Sequence, residues 1–572
     1  MEKEIRRAVQ EAAKGLGYPE LVFTVDPVKL ADSSRGRGDY AANVAFGLSK
    51  ITGKSALEIA GALVTELNAH KSTDIEHVEV GGNGFINFFL APVVFHRAIT
   101  EAAQNPDYGR STAYAGKKVM VEYTDTNPFK LFHIGHLMSN CIGESLSRLI
   151  EWGGAEVKRA DYQGDVGLHV AKALWKLVRQ PADGDWKLED GTMTMEMLGR
   201  AYAAGATAYE SDEQAKKEIH EINKKIYERS DPALNELYDA GRKISLDYFE
   251  SIHTLLGTHF DYYFFESETG EFGKKIVSEH MGTVFEESEG AVIYRGEKKG
   301  LHTRVFLNKD DLPTYEAKEL GLAKIKYERY PYDLSVVVTG NEISEYFKVL
   351  LAAMGEIFPE LAAKQKHVPH GMLRLPSGKM SSRTGDVLTA EWLIGEVREK
   401  IRARAAAAEE KKDVEGTLDA VSVAALKYSI LKQGIGRDSI FDVEKSISFT
   451  GDSGPYLQYS HARAGSVLAQ PRTSAAADAG QGGGIGNPET PGALERLIFY
   501  FPEEAERAAG ELAPQRLVAY ANELAGAFNS YYAENRIIGS EREAYRLALT
   551  AALRAVLSRT LSLLGMAAPE KM

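Results

Sequence analysis

The sequence predicts an α/β protein built on a parallel sheet, with a helical insertion in the sheet, an α+β unit before it and an all-helical unit after it. Three observations carry this. A β-rich run at 119–123 leads into a turn, a helix beginning near His133 and a second strand, EVKRADY, that ends at Gly164. That strand–turn–helix–strand order belongs to parallel sheets. Residues 168–257 then carry mainly helical patterning before strand-like runs return at VIYRG, TRVFLN and LSVVVTG. From about 390 the pattern is helical to the end, as in RLALTAALRAVLSRTLSLLG.

Taken in order, residues 1–20 predict an amphipathic helix, with Ile5, Val9, Ala12 and Leu16 near helical spacing. A strand is expected at 21–25 (LVFTV), then a polar, Gly-rich turn (ADSSRGRG) feeding a helix, a further helix over about 55–69, and two strands in HVEVGG and GFINFFL. Gly, Pro and small residues at 105–118 mark a boundary. The expected domains are 1–112, α+β; 113–390, Rossmann-like, with its insertion over about 170–257; and 391–572, helical. The charged run SDEQAKKEIHEINKKIYERSD reads as a solvated helical face. The Gly-rich segment 472–492 cannot pack a core and is expected to be a loop.

Composition excludes several classes. The chain has 572 residues, 44% hydrophobic and 26% charged, which is ordinary for a globular protein. Its 68 Lys and Arg against 81 Asp and Glu give a net charge of −13, so it does not bind nucleic acid through bulk positive charge. Any such site is a local basic surface. The single cysteine, Cys141, excludes an intramolecular disulfide and a Cys-rich zinc site. With no apolar leader and no apolar run near 20 residues, the expectation is a cytoplasmic protein without a membrane span.

The most informative stretch is VEYTDTNPFKLFHIGHLMSN. His133 and His136 bracket Ile134 and Gly135 where a strand gives way to a helix. A helix N-terminus offers free N–H groups and partial positive charge to phosphate, and imidazole N–H groups add donors. Gly135 lets a flat base approach the backbone. Alone, H-x-x-H serves equally as a zinc pair or as two internally satisfied histidines; no third zinc ligand is evident. Downstream, LRLPSGKMSSRTGDVL places Lys379, Met380, Ser381, Ser382 and Arg383 in a Gly-flanked, Ser-rich segment suited to closing over a triphosphate. Two phosphate-suited elements in one interrupted α/β unit point to ATP chemistry.

HIGH at 133–136 and KMSSR at 379–383 resemble the paired motifs of class I aminoacyl-tRNA synthetases, and the chain resembles the arginyl-tRNA synthetases nearly end to end. The likeness runs through GDYAANVAFGLSK (38–50), GFINFFL (84–90), Glu122-x4-Asn127-x2-Lys130 ahead of HIGH, GDVG (164–167), HFDYYFFESE (259–268), TYEAKE (314–319), GNEISEYF (340–347), GDSGPYLQYSHAR (451–463) and APEKM (568–572). The resemblance implies a class I fold with a DALR-type anticodon-binding bundle, and a monomer. It also implies ATP-dependent activation of arginine followed by transfer to its tRNA, with activation requiring tRNA. Lys130, His133, His136, Lys379 and Arg383 would be catalytic; His133, Gly135, His136, Gly340, Lys379, Met380 and Ser381 would hold ATP. Glu122, Tyr315 and Glu319 would hold the guanidinium, whose planar fork of donors suits carboxylates. Asn127 would hold the other end of the amino acid. Phe85 and Asn87 would meet the D-loop corner of tRNA, and Tyr456, Tyr459 and Met572 its anticodon loop. Mg²⁺ is expected to arrive with ATP, with no metal held by the protein itself, and DNA is not an expected partner.

The sequence departs from the family pattern at several places. Ser382 stands where KMSKS has a second lysine, and Lys130 is placed to supply the missing cation. Glu319 stands where Asp is usual, Glu342 and Ile343 where Gln is frequent, and Asp161-Tyr162 where Asn-His is usual. Read from the residues alone, Glu122 is also compatible with a solvated edge-strand acid, and Tyr315 with Glu319 with a surface pair. The competing assignments are another class I synthetase, a non-catalytic tRNA-binding relative, and a nucleotidyltransferase.

Overall fold

The computed structural model describes residues 1–28, 38–179, 193–376, 388–407, 415–471 and 489–572. The segments ADSSRGR (31–37) and KMSSR, and most of 472–492, lie outside the described residues. Among those described, no helix is long and apolar enough to cross a membrane.

The N-terminal unit is a four-stranded antiparallel sheet of β1 (Val25–Pro27), β2 (Tyr40–Ala42), β3 (Ile75–Gly81) and β4 (Phe85–Leu90), in the order β1-β2-β4-β3. Its first helix is Glu2–Gly15, which buries Ile5, Val9 and Ala12 and stops short of the predicted residue 20, because Gly17 turns the chain at φ +76°. The predicted strand at 21–25 is largely absent. Only Val25 enters a strand, since β2 pairs with Val25–Pro27 and not with the residues before them. This unit leans on the C-terminal helix Ala493–Glu511. Tyr500 joins its core, Arg496 Nε donates to Asp39 Oδ1 at 2.7 Å, and Arg507 donates to Glu2 at 2.7 Å.

The central sheet has five parallel strands: β5 (Lys118–Glu122), β6 (Glu156–Gln163), β7 (Tyr262–Phe265), β11 (Leu334–Gly340) and β12 (Gln365–His370), in the order β12-β11-β5-β6-β7. The chain runs outward from β5 through β6 to β7, then returns to the other side of β5. That reversal makes a topological switch point at the carboxyl ends of β5 and β11. The expected resumption of the sheet is only partly realised. VIYRG and TRVFLN go into a separate antiparallel sheet, β8 (Glu286–Ser288), β9 (Ala291–Tyr294) and β10 (Arg304–Leu307), and only LSVVVTG rejoins the main one. Hairpin pairing between neighbours in sequence needs no crossover, so these short runs close on each other.

Alternation along β5 decides which residues face which layer. Val119 and Val121 enter the core shared with the helix Ile134–Trp152 and the C-terminal bundle, whereas Met120 enters the core under the helices Glu266–Glu279, Tyr315–Arg329 and Ser344–Ile357. Glu122, two residues after Met120, follows it to that second face. The helical insertion, Leu168–Val178, Met195–Ser211, Glu213–Glu228 and Pro232–Leu256, has its own core and takes in Phe129 from the loop after β5.

The C-terminal part is not helical throughout. A two-residue strand, β14 (Ser439–Ile440), pairs with β13 (Leu373–Arg374). Its bundle is docked through helix ends. Ser145 Oγ donates to Leu563 O at 3.0 Å and Arg148 to Ser562 O at 3.0 Å, while buried Lys427 donates to Gly565 O at 2.7 Å and Leu256 O at 2.6 Å. The cations thus sit on the last carbonyls of two helices, where the helix dipole is negative.

The helices Glu266–Glu279 and Tyr315–Arg329 cross at backbone contact. A Cβ on Gly273 would lie 1.8 Å from Ala317 O, and one on Gly321 would lie 2.2 Å from Thr269 O. Gly273→Ala therefore pushes the pair apart and should lower the unfolding free energy by about 1–3 kcal/mol in urea titration. Gly355→Ala, in the helix Ser344–Ile357 where an added Cβ meets nothing within 4 Å, should be neutral or stabilising.

Candidate active site

The loop from β5 to the helix Ile134–Trp152 is strained. Thr124, Asp125 and Phe129 all have positive φ, at +81°, +54° and +68°, which costs non-glycine residues free energy. Three other elements hold it. Thr124 N donates to Ser139 Oγ at 3.0 Å and Asn140 Nδ2 donates to Thr124 Oγ1 at 3.0 Å, both from that helix. Thr126 donates through N and Oγ1 to the Asp161 carboxylate of β6, at 3.2 and 3.1 Å. Phe129 N donates to Ser245 Oγ of the helix Pro232–Leu256 at 2.9 Å. Asp161, which departs from the family pattern, thus has a structural duty. Asp165 of GDVG has another: it accepts from Arg242 Nε (2.9 Å), Ser267 N (2.9 Å) and Ser267 Oγ (2.7 Å).

This loop delivers His133 as the N-cap of the helix. His133 Nδ1 accepts from Gly135 N (3.1 Å) and His136 N (3.3 Å), and His136 Nδ1 accepts from His133 N (3.3 Å), a reciprocal capping box made of two imidazoles. With Nδ1 accepting in both, Nε2 carries the proton in both, so each ring keeps one N–H donor. The rings stack with centroids 3.6 Å apart at 15°. Burial and the nearby Lys130 ammonium depress His133 to about 4. Burial, His133 and Lys130 hold His136 well below the usual imidazole range. Both rings are therefore neutral donors at neutral pH. The Asn127 side-chain amide lies 3.4 Å from His136 Nε2, and half-buried Lys130 sits 5.0 Å from the Tyr202 ring centroid. Burial and Lys172 lower the Lys130 ammonium from its ordinary value.

On the other side of the cleft, acidic side chains converge. Glu122 is 1% exposed and central in the sheet, which removes the edge-strand alternative. Its Oε2 accepts from Lys326 Nζ at 2.6 Å, and Lys326 is 0% exposed. Burial, then Glu122, raises Glu319 well above the usual carboxylate range. Burial, then Glu122, Asp161 and Glu319, does the same to Asp125. A second buried pair, Lys318 Nζ to Glu266 Oε2 at 2.6 Å, lies beside them, and burial keeps Glu266 raised despite it. Tyr315 opens the helix Tyr315–Arg329 at the rim, 62% exposed, with Lys318 Nζ 5.4 Å from its ring centroid. Gly340 ends β11 in register with the cleft; a Cβ there would lie 2.2 Å from the Glu342 carboxylate.

The structure thus brings together Glu122, Asn127, Lys130, His133, Gly135, His136 and Glu319 around the ends of β5 and the helix Tyr315–Arg329, with Gly340 at the end of the neighbouring β11. Lys379, Met380, Ser381 and Arg383 fall outside the described residues. Sequence reasoning missed Asp125, Lys318 and Lys326. Lys326 was discoverable: it lies seven residues after Glu319, two turns along one helix face. Asp125 carried no signal, since nothing in its local sequence announces a left-handed backbone.

The remaining candidates lie elsewhere. Phe85 is 45% exposed with its ring 4.9 Å from Phe46, whereas Asn87 is 6% exposed and folded over Gly81. Tyr456 and Tyr459 are half-buried on the helix Gly454–Leu468; Asn529 Nδ2 donates to Tyr456 Oη at 3.1 Å, and Arg463 donates to Tyr459 Oη at 2.9 Å. The Arg463 guanidinium also covers the rings of Tyr459 and Tyr532, at 4.7 and 5.4 Å, and Phe449 lies 6.1 Å from Tyr459. Met572 packs, partly buried, against the bundle core.

Comparison with known proteins gives three family matches. Residues 1–90 match the arginyl tRNA synthetase N terminal domain, 99–443 the catalytic domain of tRNA synthetases class I (R), and 457–572 the DALR anticodon binding domain. The chain is 29% identical to an arginine–tRNA ligase of Ligilactobacillus salivarius over 584 residues, covering 100% of this chain and 99% of that one. It is also 29% identical to one of Treponema pallidum over 553 residues, covering 92% of each. The fold is shared with the arginyl-tRNA synthetases of Thermus thermophilus (TM-score 0.77, 24% identity, all of both chains) and Plasmodium falciparum (TM-score 0.79, 18% identity, 100% of this chain and 99% of that one). With a catalytic-domain match over more than half its length, joined to both flanking domains in order, the chain belongs to the class I arginyl-tRNA synthetase family.

Proposed function

We propose that this arginine–tRNA ligase of class I uses the cleft at the ends of β5 and β11 for both half-reactions. The observation that carries the reading is the meeting of buried Glu122 and half-buried Asp125 and Glu319 with a neutral pair of imidazole donors. Asp125 and Glu319, held above the usual carboxylate range, call for a cation, and a guanidinium offers one charge and five donors in a plane. Glu122 and Glu319 take the guanidinium, Tyr315 covers it from the rim, and Asn127 orients the α-amino and carboxylate end.

ATP, carrying its own Mg²⁺, lies over His133, Gly135, His136 and Gly340. The arginine carboxylate oxygen attacks the α-phosphorus in line and the bond to pyrophosphate breaks, giving arginyl-adenylate. The chain's work is positioning and charge stabilisation. The Nε2–H groups donate to phosphate oxygens, while Lys130, Lys379 and Arg383 meet the charge on departing pyrophosphate. Lys130 is suited to this, because its partly disfavoured ammonium gains stability when a polyanion arrives. A 3′-terminal ribose hydroxyl of tRNA then attacks the adenylate carbonyl and AMP leaves. Tyr459, backed by Arg463 and flanked by Tyr532 and Phe449, supports stacking of unpaired anticodon-loop bases, with Tyr456 and Met572 beside it. Phe85 contacts the tRNA corner through its exposed ring, whereas Asn87 serves to shape its strand.

Pyrophosphate exchange with each amino acid, with and without tRNA, tests the reading. Signal is expected with arginine and tRNA together. Exchange driven by cysteine or glutamate, or by no amino acid at all, rejects it.

Lys130→Ala should slow adenylation by about 10²–10³-fold, the usual loss for one preorganised stabilising group, with an unchanged thermal midpoint. A near-normal rate in the folded variant would remove Lys130 from the mechanism.

The depressed imidazoles also fix a pH dependence. In the unfolded chain they take up protons near 6.5, whereas folded His133 does so only near 4. Their contribution to stability is therefore complete above about 6.5 and is lost as pH falls towards 4, His133 alone withdrawing about 3 kcal/mol. Urea titrations from pH 7.5 to 4.5 should show this decline, while adenylation rates between pH 6.5 and 8 show no step from either histidine.

A further inference from the structure

The guanidinium site read above contains a cation of its own. Lys326 lies behind Glu122, fully buried, with Nζ 2.6 Å from Oε2. It arrives on the helix that carries Glu319, and seven residues is close to two full turns, so both side chains ride on one face of that helix. The helix is held there by the glycine-mediated contact with Glu266–Glu279. Lys318, the other buried lysine of this helix, is engaged by Glu266 and is not available to Glu122.

We propose that Lys326 is a positioning and specificity residue for arginine: its ammonium fixes one oxygen of Glu122 and balances one of the two carboxylates, leaving the other oxygen of Glu122 and Glu319 to receive a single guanidinium charge. The pairing supports this. Lys326 sets one positive charge directly against Glu122, the fully buried carboxylate, whereas Glu319 and Asp125 are half-buried and held above the ordinary carboxylate range, so they carry less of the negative charge that the guanidinium meets. Buried charge is tolerated only when it is paired and hydrogen-bonded. The ammonium also directs Glu122. A carboxylate with one oxygen committed at 2.6 Å presents the second in a fixed direction, which suits a planar fork of donors better than a freely rotating acid. Burial opposes the Lys326 charge, yet Glu122, Tyr332 and Glu319 together outweigh it and hold the lysine above its ordinary value, so the ammonium persists at working pH.

This inference rests on Glu122 being a guanidinium ligand, so Glu122→Gln is measured in parallel. Lys326→Gln keeps a hydrogen-bond donor to Glu122 and removes the charge. With tRNA present, its KM for arginine should rise about tenfold or more, the difference between a charge-assisted and a neutral hydrogen bond to Glu122. Its kcat at saturating arginine and its KM for ATP should stay near wild type even though its thermal midpoint falls with the loss of one partner of a buried pair, a split that a merely structural lysine does not produce. Lys326→Arg, which keeps the charge, should stay within about threefold of the wild-type KM for arginine, a small loss by comparison. An unchanged KM for arginine in Lys326→Gln beside a raised one in Glu122→Gln overturns the role of Lys326 and leaves the site reading intact. Unchanged values in both overturn the site reading as well. If Lys326→Gln folds poorly, Lys326→Arg decides: a tenfold or larger rise in its KM for arginine, with the fold intact, rejects the charge-balancing role.

Discussion

Buried charge must be balanced, and the cleft of this protein is organised around carboxylates that its own cations satisfy only in part. Glu122 faces the helix Tyr315–Arg329 because strand alternation sends it there, and Lys326 of that helix meets it at 2.6 Å. Glu319 and Asp125 lie in the same field without an equal share of cation and are held above the ordinary carboxylate range. A site in that state favours a ligand that brings a charge and several donors. It disfavours one that brings a carboxylate, which separates this cleft from one built for an acidic amino acid.

The phosphate side solves the opposite problem. Donors are needed where a polyanion binds, but fixed positive charge buried in an empty cleft is unfavourable. The imidazole capping box answers this with neutral groups whose Nδ1 atoms are occupied by backbone amides, which leaves Nε2 to carry the proton in each ring, with the Asn127 amide 3.4 Å from that of His136. The cost appears in the backbone just upstream, where three non-glycine residues adopt left-handed conformations between Thr124 and Phe129. Strain of that kind persists because β6, the helix Ile134–Trp152 and the helix Pro232–Leu256 all hydrogen-bond to the loop. The helical insertion therefore contributes directly to the site through Ser245.

The helix that begins at the histidines ends within the interface to the C-terminal bundle. Its Ser145 and Arg148, with Lys427 of the bundle, hold the last carbonyls of the helix Glu543–Leu563. The tail beyond that helix returns to Gly454–Leu468, where Gln458 donates to Ala567 O at 2.9 Å and His461 lies 3.0 Å from Pro569 O. Tyr456 and Tyr459 are thus joined to His136 through a continuous series of packed helices.

Much of this was legible in the order of residues. The parallel sheet followed from strand–turn–helix–strand patterning, and the family from an ordered series of motifs. His133 and His136 were identifiable because a cap position has a fixed place relative to the strand before it. Local signals failed where pairing was chosen by non-local partners: 21–24 stay outside the sheet because β2 selects Val25–Pro27, and VIYRG and TRVFLN close on each other instead of rejoining the main sheet. Asn87 matched a tRNA-contacting position by motif and shares the strand face of exposed Phe85, but its side chain folds over Gly81, a contact that nothing in its local sequence announces. The sequence by itself determined which chemical groups were available and on which elements they ride, because periodicity and capping are local properties. Only the tertiary structure decided that Glu122 is committed to Lys326, 204 residues away, since the state of a buried charge depends on whichever distant groups the fold brings against it.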